Sequence, residues 1–147
     1  MRIHLIKIGG ALMHNLAICL HLQGHTVTGS DDLIFEPANG RLKKYGLLPA
    51  DGEFHAERIT QDIDVIIIGM AMFLDNPELA RAKELGLRIQ TFPEFVYEHS
   101  KDKKRMVLAG SHGKTTTTAM VMHVLHTLGK PFDWLVGSLV EGFEAMV

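Results

Sequence analysis

With a single cysteine, Cys19, among its 147 residues, the chain can form no internal disulfide and no metal site built from several thiolates. Aromatic residues make up only 7%, and 15 Lys and Arg against 17 Asp and Glu leave a formal net charge of -2. That balance gives no basic field for nucleic acid, so any anion must be held by local loops. No apolar run approaches the roughly 18 to 20 residues of a membrane-spanning helix. Residues 1–10, with one basic residue before a run broken by Lys7 and two glycines, make a poor signal peptide. No repeat of fixed period and no low-complexity tract is present. A cytoplasmic protein with neither nucleic-acid nor membrane partners is expected. What is there, 46% hydrophobic and 22% charged residues, is the composition of an ordinary globular chain.

Ile3, Leu5, Ile6 and Ile8 form a short apolar run ending at Gly9 and Gly10, the pattern of a buried parallel strand closed by a tight turn. Leu12, Leu16 and Leu20 then recur at helical spacing up to Gly24, and HTVTG at 25–29 has the β-branched content of a second strand. Farther on, the patterns predict a basic surface helix over 38–45, a short strand over 53–55 and a buried strand in DVIIIG at 64–69. A helix over 77–85, a strand over 88–91 and a helix over 93–99 follow. This alternation predicts an α/β fold, a Rossmann-like parallel sheet over 1–104, with the boundary in the charged SKDKKR run. After it the alternation restarts as a strand over 106–109, a loop over 110–113 and a helix over 114–128. Residues 105–147 are read as the truncated start of a P-loop α/β ATP-binding domain, too short to be a whole one.

Gly110, Ser111, His112, Gly113, Lys114, Thr115 and Thr116 follow an apolar run and open a helix, the context a phosphate-cradling loop requires. Glycine permits the backbone angles that point N–H groups at an anion, Lys114 adds charge for the terminal phosphates, and Thr115 offers a hydroxyl to Mg²⁺. ATP binding is the natural reading. A glycine turn with an exposed lysine is the alternative, since Leu108 stands where GxxxxGK[ST] has its first glycine. In the first turn, a dinucleotide fingerprint would put glycines at 7, 9 and 12, but Lys7 and Leu12 occupy two of these positions, which disfavours an NAD enzyme. Lys7 either assists a diphosphate or points to solvent. Ser30 and Asp31 follow the second strand, where a carboxylate can accept hydrogen bonds from a ribose or base; the plainer reading of Asp31 and Asp32 is a solvated turn. Asn76, in the DNPE segment, can cap the following helix through its side chain. Of the nine histidines, His14, His21, His25, His123 and His126 are read as structural because no carboxylate or thiolate completes a zinc set, whereas His112 sits in the phosphate loop and either touches nucleotide or shapes the turn. Cys19 and the methionines read as core.

GSHGKTTTT resembles the ATP loop of the Mur ligases, the amide-forming enzymes of peptidoglycan assembly, and histidine before GKT is typical of the branch acting on UDP-N-acetylmuramic acid itself. IHLIKIGGALMHNLA resembles the family's opening IxxIGIGGxGMSGLA, HTVTGSD its second strand and acidic turn, and DNPELARAKELG its segment before a later strand. The resemblance implies that Gly9, Gly10, Ala11, Leu12 and Met13 take the UDP diphosphate of the sugar substrate. It also implies that ATP, with Mg²⁺ at Thr115 and Lys114 as catalytic residue, phosphorylates the muramic acid carboxylate, and that an amine then attacks the acyl phosphate. The MHNLAI, GMAMFLDNPEL and VGSLVEGFE segments resemble members that use a recovered peptide such as L-alanyl-γ-D-glutamyl-diaminopimelate; the alternative amine is L-alanine. Further metal ligands and an amine-binding domain are expected beyond Val147, and the chain alone is expected to be inactive. A noncatalytic nucleotide-binding sensor is the rival from another class. A folate or cyanophycin ligase would share GKT but leave GGALM and GSDD unexplained.

Overall fold

The computed structural model describes residues 1–69, 75–138 and 140–143. Strands β1 (Arg2–Ile6), β2 (Thr26–Ser30), β3 (Val65–Ile68) and β4 (Ile89–Thr91) form one parallel sheet in the order β2-β1-β3-β4. Helices α1 (Ala11–Leu22), α2 (Ala38–Lys44), α3 (Pro77–Glu84), α4 (Phe92–His99) and α5 (Lys114–Thr127) complete the mixed α/β architecture. Central strands need apolar residues on both faces because helices cover both. Ile3, Leu5, Val65 and Ile67 pack in one cluster with residues of α1 and α4; Ile6 and Ile66 join another with Leu79 and Ala82 of α3. Burying each such isoleucine is worth about 1.5–3 kcal/mol.

Two expected strands are absent from the ladders. Around 53–55 the backbone donors are taken by side chains: Glu53 N–H donates to Asp51 Oδ1 at 3.2 Å and His55 N–H to Glu78 Oε1 at 3.1 Å. The chain passes instead into a single 3-10 turn at Ala56–Arg58. Residues 106–109 have no neighbouring strand among the described residues, and Met106 and Val107 are 71% and 85% exposed, so nothing stabilises an extended ladder there. Met120 is exposed too, so the methionines are only partly core. Asn76 does cap α3, its side-chain oxygen accepting from Glu78 N–H and Leu79 N–H at 2.9 and 3.1 Å. Parts of the GMAMFLDNPEL and VGSLVEGFE segments lie outside the described residues.

Candidate functional site

β1 stops at Ile6 because Lys7 turns the chain with φ of +68°, a left-handed conformation that favours glycine. The turn is tied to the end of β2: Lys7 N–H and Ile8 N–H both donate to Ser30 O, at 2.8 and 3.1 Å, and Gly9 N–H donates to Asp31 Oδ2 at 2.7 Å. A Cβ on Gly9 would lie 2.8 Å from Ile34 Cγ1 and 2.9 Å from that carboxylate oxygen, so space alone demands glycine. The Lys7 ammonium reaches Asp32, stands 3.3 Å from Asp31 Oδ1 and lies 5.3 Å from the centre of the Phe54 ring. Burial would lower the Lys7 pKa, but hydrogen bonding and attraction from Asp32 and Asp31 outweigh it and raise the pKa above 10.5. The Lys7 hydrogen bond pulls Asp32 down to about 2, while burial and the neighbouring Asp32 push Asp31 up.

Above this turn a cleft of about 900 Å³ opens at the carboxyl ends of the strands, where β2 and β3 lie on opposite sides of β1. That is the switch point at which open parallel sheets bind ligands, and the volume falls in the range of about 300–1,000 Å³ usual for small-molecule sites. Gly9, Gly10, Ala11, Leu12, Met13 and Asp31 line it. Ser30 does not, contrary to the sequence-based expectation. Its side chain is buried behind the strand end and its hydroxyl donates to Glu78. Helix α1 begins at Gly10 with no side-chain cap, so its first-turn N–H groups stand at the cleft without a side-chain acceptor. Such a terminus favours an anion.

The far wall carries residues that the sequence patterns did not single out for binding. His14 Nδ1 donates to Gly10 O at 2.8 Å, Asn15 Nδ2 donates to Ala11 O at 2.8 Å, and Arg41 Nη1 donates both to His14 Nε2, at 3.0 Å, and to Asn15 Oδ1. A carbonyl can only accept and a guanidinium can only donate, so His14 is the neutral tautomer with its proton on Nδ1. Burial lowers the His14 pKa, the Gly10 hydrogen bond raises it, and the charge of Arg41 lowers it further, with a net fall below 6.5. The signal available in the sequence was Arg41 beside Leu42, one of two buried residues of a short basic helix.

Behind the sheet's carboxyl end, Glu78 is fully buried and gathers the Ser30 hydroxyl, His4 Nε2 at 3.3 Å and the His55 N–H. His4 Nδ1 in turn meets Thr28 Oγ1 at 2.8 Å. Burial pushes the Glu78 carboxyl up, but the hydrogen bonds from His4 and Ser30 outweigh it and hold the pKa below 4.5. This network joins β1, β2 and the start of α3, and so fixes the strand end from which Asp31 reaches Gly9.

Residues 110–113 form an exposed loop leading into α5, with Gly113 at φ +75° as its N-cap. Lys114 curls back over the loop, its ammonium donating to Gly110 O at 2.6 Å and Ser111 O at 3.2 Å. No side chain caps α5, and Thr115 and Thr116 are exposed in its first turn. The donor set of one ammonium, two hydroxyls and uncapped helical N–H groups fits a phosphate chain with its cation. Ser111 and His112 lie on the same turn. None of the residues 110–116 lines the cleft at the first turn, which Gly137 and Ser138, downstream of α5, do line.

Comparison with known sequences bears on both places. The profile of the Mur ligase family, catalytic domain, matches residues 2–104. The UDP-N-acetylmuramate–L-alanine ligase of Sulfurihydrogenibium is 39% identical over 142 residues, covering 97% of this chain and 31% of that protein. The Escherichia coli UDP-N-acetylmuramate–L-alanyl-γ-D-glutamyl-meso-2,6-diaminoheptandioate ligase is 32% identical over 145 residues, covering 98% and 32%. Among solved structures, the UDP-N-acetylmuramate-alanine ligase of Thermotoga maritima superposes with a TM-score of 0.85 at 34% identity, covering 99% of this chain and 34% of that one. The chain spans about a third of the length of the curated relatives it matches.

Proposed function

Because the chain belongs to the Mur ligase family, we propose that it carries the UDP-sugar-binding region and the ATP loop of a ligase joining UDP-N-acetylmuramic acid to a recycled peptide in peptidoglycan recycling. The observation that carries this reading is the cleft, where a glycine turn, an uncapped helix amino terminus and Asp31 meet at the carboxyl end of a parallel sheet. The UDP diphosphate lies along Gly9, Gly10, Ala11, Leu12 and Met13. Asp31, already engaged by Gly9 N–H and Lys7, keeps the turn in shape and presents its edge to the ribose side.

ATP with Mg²⁺ supplies the phosphoryl group that activates the muramic acid carboxylate. Lys114 leaves its loop carbonyls to balance phosphate charge, Thr115 offers its hydroxyl to the metal, and Gly110, Ser111, His112, Gly113 and Thr116 shape the cradle. Residues 1–104 act as the sugar-binding domain and residues 105–147 as the opening of the ATP domain. A cytoplasmic site of action is consistent with its need for ATP and with Cys19 as a free thiol.

The MHNLAI segment supports the peptide as the incoming amine. A second reading, L-alanine, is favoured by the higher identity to an L-alanine ligase, 39% against 32%. Titration calorimetry with UDP-N-acetylmuramic acid in the absence of ATP tests the sugar site; folded protein that binds no UDP sugar contradicts it. Amide formation by the full-length enzyme with each amine in competition separates the two readings.

A further inference from the structure

The segment between β2 and α2 passes over the glycine turn, and its side chains divide sharply. Ile34 turns inward: it packs against the buried core, and its Cγ1 is the atom that an added Cβ on Gly9 would meet at 2.8 Å. The residues on either side of it, Leu33 and Phe35, line the cleft and are 63% and 70% exposed. Phe92 and Phe95 are buried, so an open phenyl ring sets the cleft lip apart from the core. The backbone beneath that ring is held. Phe35 O accepts from Asn39 N–H at 3.1 Å in the first turn of α2, and Glu36 Oε2 accepts from Gly40 N–H at 3.2 Å. A large apolar side chain left in water on a fixed backbone forgoes the gain of burial until a ligand covers it.

We propose that Phe35, with Leu33 beside it, is a substrate-contacting residue that takes the pyrimidine base of the nucleotide sugar against its ring face. The inference rests on the UDP-sugar reading of the cleft and deepens it by placing the base, which the glycine turn and Asp31 leave unassigned. The order along the walls matches the order along a nucleotide: the amino terminus of α1 for the diphosphate, Asp31 at the end of β2 for the ribose side, and the 33–35 strip just after it. Charge sorts the ligand the same way. Carboxylates flank the strip, Asp32 paired with Lys7 and Glu36 at the head of α2, which disfavours phosphate there and leaves a neutral base unopposed. The base is the one planar aromatic part of such a ligand, and stacking on a phenyl ring uses that shape without needing a hydrogen bond.

The test is calorimetry on the full chain and its Phe35 variants with UDP, uridine and inorganic pyrophosphate, with thermal unfolding as the control for folding. Phe35→Ala is expected to weaken UDP and uridine by the same factor, about tenfold, and to leave pyrophosphate unchanged. Phe35→Tyr, which keeps the ring, is expected to stay within about twofold of the wild type for all three ligands. With protonated phenylalanine rings in an otherwise deuterated wild-type chain, the uracil H5 and H6 protons should show a nuclear Overhauser effect from a phenyl ring that is lost in Phe35→Leu, a signature that a merely structural phenylalanine would not give. Wild-type UDP affinity in Phe35→Ala, an equal loss of pyrophosphate, or an Overhauser effect that survives Phe35→Leu overturns the proposal while leaving the UDP-sugar reading intact. If the folded wild type binds no UDP ligand, both fall.

Discussion

The turn after β1 and the loop before α5 both put glycine in front of an uncapped helix, yet they need it for opposite reasons. Gly9 is required by space: a Cβ would press on Ile34 and Asp31. Gly113 is required by its dihedral angle: φ is +75° and nothing lies within 4 Å of an added Cβ. In the first turn the left-handed residue is Lys7, whose strain of about 1–2 kcal/mol is offset by its contacts with Asp31, Asp32 and Phe54. One turn is thus built by packing, the other by backbone freedom. A packed turn presents a preshaped wall to a ligand, whereas an open loop can close on one.

The sharpest way to test this contrast is to remove the buttress of the first turn. Glu78→Ala leaves the Ser30 hydroxyl and the His55 N–H without the carboxylate that accepts from them and takes the same carboxylate away from His4 Nε2. Unfolding in urea should show a loss of about 3–5 kcal/mol. A variant as stable as the wild type would mean that the network does not hold the strand end.

Lys114→Ala should do the reverse, leaving stability and UDP-sugar binding unchanged because the side chain is exposed and its ammonium donates to carbonyls of its own loop. Amide formation by the full-length enzyme, measured at saturating UDP sugar, should fall roughly a hundredfold, about 3 kcal/mol of barrier. Near-normal turnover would remove Lys114 from the phosphate site.

Next in size come the two glycines, exchanged for alanine in parallel. Gly9→Ala should destabilise by about 1–3 kcal/mol through overpacking and weaken UDP-sugar binding, since the clash displaces Asp31. Gly113→Ala should cost only about 1 kcal/mol of backbone strain and leave UDP-sugar binding alone. Equal effects of the two on sugar binding would abolish the distinction between packed and open turns.

The smallest effect is expected from Lys7→Met, followed by carboxyl NMR titration. In the wild type the Lys7 hydrogen bond holds Asp32 at about 2 against an ordinary 3.8, so its contribution to stability is present above 3.8 and is lost as pH falls toward 2. In the variant the Asp32 pKa should rise from about 2, with the Asp31 hydrogen bond still holding it down. An unchanged value would show that Lys7 does not set the charge of the turn.

Much of the fold was legible from local pattern. DVIIIG could only be a strand buried on both faces, and the recurring leucines of α1 and the proline-led start of α3 marked helices whose bounds differ little from expectation. Local pattern failed where a strand depends on a neighbour. Residues 53–55 lost their ladder donors to Asp51 and Glu78, and residues 106–109 have nothing beside them among the described residues.

For the candidate site, the sequence by itself determined the two glycine turns, Lys114 and Asp31, because their chemistry lies in short contiguous motifs at strand and helix ends. Only the tertiary structure decided that Ser30 faces inward to Glu78 while its neighbour Asp31 faces the cleft, since strand alternation sends adjacent side chains to opposite sides. It alone also brought Arg41 onto His14 and Asn15, residues 26 and 27 positions away in sequence on another helix. Packing of α1 against α2 creates that contact, and no local periodicity encodes which side chain of one helix meets which of the other.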